Sequence, residues 1–165
     1  MGDAPPGLPP EVEFWRPPTL VATWFGVGLL PVAPGTWASI STLPIAWYLH
    51  AAFGAWAVAL AALVVFAIGW WASENFAKRG HASDPSYIVV DEVAGQLVAL
   101  APAALDPVFY AIALIGFRVF DIMKPWPVGW ADREVKGGLG VMLDDLLAGL
   151  YVAAILIITT WLFSG

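Results

Sequence analysis

The sequence predicts an all-α integral membrane helical bundle of about five membrane segments, two of them short or re-entrant. Three observations carry that expectation. Of 165 residues, 60% are hydrophobic and only 12% charged, well outside the usual range of a water-soluble domain. Several uninterrupted apolar runs approach the ~20 residues that a helix needs to cross ~30 Å of hydrocarbon. Charge of both signs is then concentrated in one stretch, "FRVFDIMKPWPVGWADREVKGGLGVMLDD", Phe117 to Asp145. With no internal repeat, residues 20–165 read as a single domain behind a proline-rich arm, residues 1–19.

Taken in order, the N-terminal "MGDAPPGLPPEVEFWRPP" lacks the basic and apolar regions of a signal peptide, and its prolines predict an extended, mobile arm. Trp37 to Phe53 and Ala55 to Ala72, separated by Gly54, predict a helical hairpin. Thr36, after Pro34 and Gly35, is placed as its N-cap, where a hydroxyl and free N–H groups also suit a phosphate. Glu92 to Ala104 and Pro107 to Phe120 meet at the turn signal "LDP". At about 14 residues, or roughly 20 Å of helix, they are the short segments. Leu146 to Phe163 is the last span.

Five crossings from an inward N-terminus put all seven basic residues, Arg16, Lys78, Arg79, Arg118, Lys124, Arg133 and Lys136, on one face. The positive-inside rule makes that face cytoplasmic. The opposite loops, "HAAFGA" and "APAALDP", hold no Lys or Arg. The absence of cysteine excludes disulfides, thiolate metal sites and cysteine nucleophiles. A net charge of −6 without a polybasic cluster excludes nucleic acid as a partner.

The same topology gathers five carboxylates at the cytoplasmic face. Asp91 and Glu92 open the third segment, Asp121 closes the fourth, and Asp144 and Asp145 open the fifth. Helix capping accounts for one acid; the adjacent pair Asp91 and Glu92, flanked by "IVV" and "VAG", is better explained as cation ligands, since an unpaired buried carboxylate is expensive. Arg118, Asp121 and Lys124 follow at spacings of three on one helix side; an exposed ladder of that kind contributes only ~0.2 to 0.5 kcal/mol. Gly137, Gly138 and Gly140 precede the last span, leaving Gly138 among backbone N–H groups suited to phosphate, or simply a flexible connector. His50 and His81 are isolated, so no histidine metal site is expected. Hard oxygen ligands select magnesium or manganese. A membrane-embedded, metal-assisted phosphoryl enzyme follows.

At these residues the chain resembles the phosphatidylglycerophosphatase A family, through "GLLPVAPGTWAS", "IVVDEVAGQ", "FRVFDIMKPWP", "WADREVKGGLGVMLDD" and the following "LAG". The match runs in order from about Phe25 to Gly149. The resemblance implies a helical, Mg2+-dependent lipid phosphatase of the bacterial inner membrane that converts phosphatidylglycerol phosphate to phosphatidylglycerol. It carries over Asp91, Glu92, Asp121, Asp144 and Asp145 as catalytic and metal-binding acids, and Arg118, Lys124 and Arg133 as the basic positions that meet substrate phosphate. "GHASDPS" is the least family-typical part, which leaves His81 and Asp84 without a role. The competing readings are a phosphatase for another lipid phosphomonoester and an ion-coupled transporter; a transporter wants its carboxylates near the midplane rather than at segment ends.

Overall fold

The computed structural model describes residues 7–9, 11–78 and 86–163; His81 and Asp84 lie outside them. Among the described residues there are seven α-helices, one 3-10 turn (Val27–Leu29) and no strand. The helices are α1 (Pro17–Ala22), α2 (Pro34–Phe53), α3 (Ala55–Ala77), α4 (Val90–Leu100), α5 (Pro107–Met123), α6 (Val128–Glu134) and α7 (Gly137–Phe163).

Local chemistry sets most of these boundaries. Proline at the first position starts α2 and α5, where its missing N–H is no loss. Asp106 caps α5 by accepting from the Val108 amide at 2.8 Å. Gly54, at φ 91°, ends α2 and begins α3 without a linker, a backbone state that favours glycine. Lys124, in the left-handed region at φ 44°, ends α5, and Pro125 prevents its resumption.

Two helices, α3 at 23 residues and α7 at 27, are long and apolar enough to cross a membrane. Their outward faces are apolar as well, with Leu63, Ile157 and Ile158 more than half exposed. The 11 residues of α4 reach only ~17 Å, and the 17 of α5 ~26 Å.

The core forms around α4, which packs against α2, α3, α5 and α7. Val90, Val93, Ala94, Gln96, Leu97 and Leu100 are all buried. Against α7 the two backbones touch: a Cβ on Gly95 would stand 2.5 Å from the Asp145 carbonyl oxygen, and one on Gly149 3.0 Å from the Gly95 carbonyl carbon. Glycine at both positions brings the N-terminal acids of α4 beside Asp145.

Several expectations need correction. The last span starts at Gly137, not Leu146. Glycine lowers helix propensity and so reads as loop, but a Cβ at Gly138 would stand 2.7 Å from the Glu74 Cα, so the glycine is there for close packing. Asp144 and Asp145 therefore sit in the third turn of α7 rather than its first. The third segment ends at Leu100, not Ala104, and α3 continues to Ala77. Within the arm expected to be mobile, Leu8 and Val12 are buried in a cluster with Ala72, Phe76 and Tyr87. The short helices α1 and α6 carry too little periodic pattern to be seen in sequence.

Candidate active site

The N-termini of α2 and α4, the C-terminal end of α5 and the third turn of α7 surround a cleft of about 350 Å³. Asp91, Glu92, Asp121, Asp144 and Asp145 all line it, with Arg118 and Lys124. Ala33, Pro34, Gly35, Ser86 and Ile88 complete the wall.

The five acids divide into two kinds. Asp91, Glu92 and Asp145 each offer an oxygen within 4.8 Å of the others. Asp121 and Asp144 are instead held by cations: Arg118 Nη1 stands 2.7 Å from Asp121 Oδ2, and Lys124 Nζ donates to Asp144 Oδ2 at 2.8 Å. Arg118 also reaches Glu92 Oε1 at 3.8 Å. Asp145 is 3% exposed and lies in the field of Asp121, Glu92 and Asp144.

Five carboxylates face two cations in this cleft, and one of those cations is shared with a sixth acid, because Lys124 Nζ also donates to Asp132 Oδ1. An excess of buried negative charge of that size is relieved by protonation or by a further cation. Three clustered carboxylates with hard oxygen donors fit Mg2+, which keeps other positions for water and phosphate. Asp91, Glu92 and Asp145 are the residues that would hold it.

Lys124 is tied to the protein more firmly than its sequence context suggests. Burial works against its charge, but Asp132 and Asp144 together hold its ammonium well above the usual lysine range. It links α5, α6 and α7 at the rim of the cleft.

Three residues expected to meet substrate phosphate do not line the cleft. Thr36 is the third residue of α2, whose N-cap is Ala33. Gly35 takes the place beside the acids, so close that Glu92 would collide with any side chain there. Arg133 is exposed on α6. Gly138 donates its amide to Glu74 Oε2 at 2.9 Å, which leaves no N–H for a phosphate. Asp132 and Glu74 were not anticipated, because each acts on a partner brought near only by folding.

Comparison with known proteins gives the site its context. A family profile described as phosphatidylglycerophosphatase A matches residues 20–160. Phosphatidylglycerophosphatase A of Escherichia coli (strain K12) is 39% identical over 148 residues, covering 88% of this chain and 85% of the relative. The protein of the same name from Haemophilus influenzae (strain ATCC 51907 / DSM 11121 / KW20 / Rd) is 30% identical over 154 residues, covering 92% and 94%. A Bacteroides thetaiotaomicron protein, provisionally named phosphatidylinositol-3-phosphatase, is 40% identical over 155 residues, covering 89% and 96%. No solved structure matches the chain. With most of its length matched, and with the cleft built from residues inside that match, the chain belongs to the phosphatidylglycerophosphatase A family.

Proposed function

We propose that the protein is a lipid phosphatase that hydrolyses the terminal phosphate of phosphatidylglycerol phosphate to phosphatidylglycerol, with Mg2+, in glycerophospholipid biosynthesis. Family membership supports the reaction class. The observation that carries the reading is the cleft, where three clustered carboxylates face an arginine already oriented by a fourth.

Phosphomonoester hydrolysis requires an aligned nucleophilic oxygen, neutralisation of the phosphoryl oxygens and a route for the leaving-group proton. Bound at Asp91, Glu92 and Asp145, Mg2+ would supply Lewis-acid charge stabilisation. Arg118 faces the same space, and its pairing with Asp121 fixes the direction of its guanidinium toward phosphate oxygens. Lys124 is committed to Asp132 and Asp144, so Arg118 carries the larger share of direct phosphate contact. Buried apolar residues behind the cleft, Val89, Val93 and Phe117 among them, lower the local dielectric on that side and strengthen the charge interactions that face it.

The order of the helices supports a reading of the setting. We read α2, α3, α5 and α7 as crossings, with α4 and the loop 101–106 covering the remaining path, which gives five membrane segments. Arg16, Lys78, Arg118, Lys124, Arg133 and Lys136 then share the face of the cleft, which the positive-inside rule assigns to the cytoplasmic side of the bacterial inner membrane. The lipid's acyl chains stay in the inner leaflet while its head group enters the cleft. Single cysteines placed at Asp106 and near the C-terminus test this: an impermeant thiol reagent should label both from outside.

The decisive assay is phosphate release by purified protein from phosphatidylglycerol phosphate, with Mg2+ or with chelator. Turnover that needs Mg2+ supports the reading. Preference for phosphatidylinositol 3-phosphate would move the substrate to that of the Bacteroides relative's name, and no release from any lipid phosphomonoester would refute the function.

A further inference from the structure

One turn beneath Glu92 on α4 lies Gln96, which is 0% exposed. Neither its Nε2 nor its Oε1 has a hydrogen-bond partner among the described residues. Such a side chain is costly to bury unless its amide is used. Three more orphaned atoms belong to Glu92 and Arg118: Glu92 Oε2, Arg118 Nε and Arg118 Nη1 are out of solvent and without a hydrogen-bond partner, although Nη1 stands in ion-pair range of Asp121. The three residues form a neighbourhood. Glu92 and Gln96 are i and i+4 on one helix, about 5 to 6 Å apart at Cβ, and Arg118 Nη1 is 3.8 Å from Glu92 Oε1.

The unused atoms are complementary. Gln96 offers the two N–H donors of its Nε2 and the Oε1 acceptor, Glu92 Oε2 is an acceptor and Arg118 Nε is a donor. Only an amide of this length can serve both at once. A glutamate would set a like charge against Glu92, and a methionine would serve neither.

We propose that Gln96 is a positioning residue of the phosphatase site: a rotation of its side chain from the position seen, where neither bond is made, lets its Nε2 donate to Glu92 Oε2 and its Oε1 accept from Arg118 Nε, bridging the metal-binding carboxylate to the phosphate-binding guanidinium. On the α2 side, the absence of a side chain at Gly35 leaves the room that Glu92 occupies. This role rests on the phosphatase reading of the cleft, and through it Gln96 acts without touching substrate.

Gln96 is the only glutamine in the chain, so protein labelled with side-chain 15N-glutamine gives a single amide signal. A bond to the carboxylate should protect one Nε2 proton from exchange and shift it downfield, and Glu92→Met, which removes the acceptor and adds no second glutamine, should abolish that shift. Both protons at ordinary, rapidly exchanging positions in the wild type would overturn the bridge. In turnover assays, Gln96→Met should lower kcat about tenfold or more while leaving KM within about twofold, the size usual for residues that orient a metal ligand. In an Arg118→Lys background the same substitution should have much less effect, as expected for a coupled pair. Wild-type kcat in Gln96→Met refutes the role. If that variant does not fold, the amide signal still decides. A wild-type protein that releases no phosphate refutes the function instead, and leaves the amide result standing.

Discussion

Replacing Gly35 by alanine isolates the geometry of Glu92 from the stability of the fold. A Cβ built at Gly35 lies 2.8 Å from Glu92 Cδ and 3.3 Å from Arg118 Nη1, with Glu92 Oε1 closer still. Ordinary contact begins at 3.4 Å, so the carboxyl carbon must retreat by about 0.6 Å and its leading oxygen by more than about 1 Å. What must move is the far end of a flexible side chain, and the helix backbones need not shift. A misplacement of ~1 Å at a reacting centre lowers rate by about 10²-fold. Gly35→Ala should therefore lose roughly two orders of magnitude in kcat yet keep its thermal transition within a few degrees in detergent. The assay is phosphate release beside a thermal melt on the same preparation. A variant with near-normal kcat would refute the placement of Glu92 at the working centre. A variant that melts early would show that Gly35 serves packing first.

Gly149→Ala should behave in the opposite way, because its Cβ would meet the Gly95 backbone carbonyl, which cannot rotate aside; overpacking of about 1 to 3 kcal/mol should lower the melting temperature and activity together. Arg118→Lys should cut kcat/KM by at least tenfold, about 1.4 kcal/mol, since a lysine cannot keep the 2.7 Å contact with Asp121 and face phosphate as well; near-normal turnover at subsaturating substrate would count against it. Lys124 is held protonated above its ordinary range by Asp132 and Asp144, so its contribution to stability is full below the unfolded lysine pKa of about 10.4 and is lost as pH rises through the raised folded value. Lys124→Met should accordingly melt earlier than wild type at pH 7 to 9, with a gap that closes only at strongly alkaline pH; a gap that closes near neutrality would contradict the double ion pair.

The acids were legible because an ionised group inside an apolar run demands an explanation wherever the chain folds. Asp91, Glu92, Asp144 and Asp145 announce themselves by neighbours such as Val89, Val90, Leu146 and Leu147. Arg118 and Asp121 were legible from helical spacing alone. Gln96 was not, since a lone glutamine in a helix pattern is unremarkable until its surroundings are known to be sealed. Glu74 could not be found either: the amide it caps is 64 residues away. The glycines misled in both directions. Gly137 to Gly140 suggested a loop and are helix, while Gly35 stood out only as the residue before a capping Thr36 and is instead the point where α2 makes room for a carboxylate. Close approach between helices leaves no local trace beyond the glycine itself.

The enclosure of α4 by α2, α3, α5 and α7 has a mechanical consequence. A helix that its neighbours leave exposed only in part, at Glu92 and Val98, would in a bilayer experience the lipid mainly at second hand, so thinning, stiffening or a change of acyl composition would act first on the outer helices. The backbone contact at Gly95 and Gly149 then moves Asp91, Glu92 and Asp145 as one piece, like a chuck that keeps its jaws aligned while the housing tilts. The spacing among the three acids is thereby insulated from the fluid the enzyme works in, and membrane state should alter how readily a lipid reaches the cleft far more than the chemistry performed inside it.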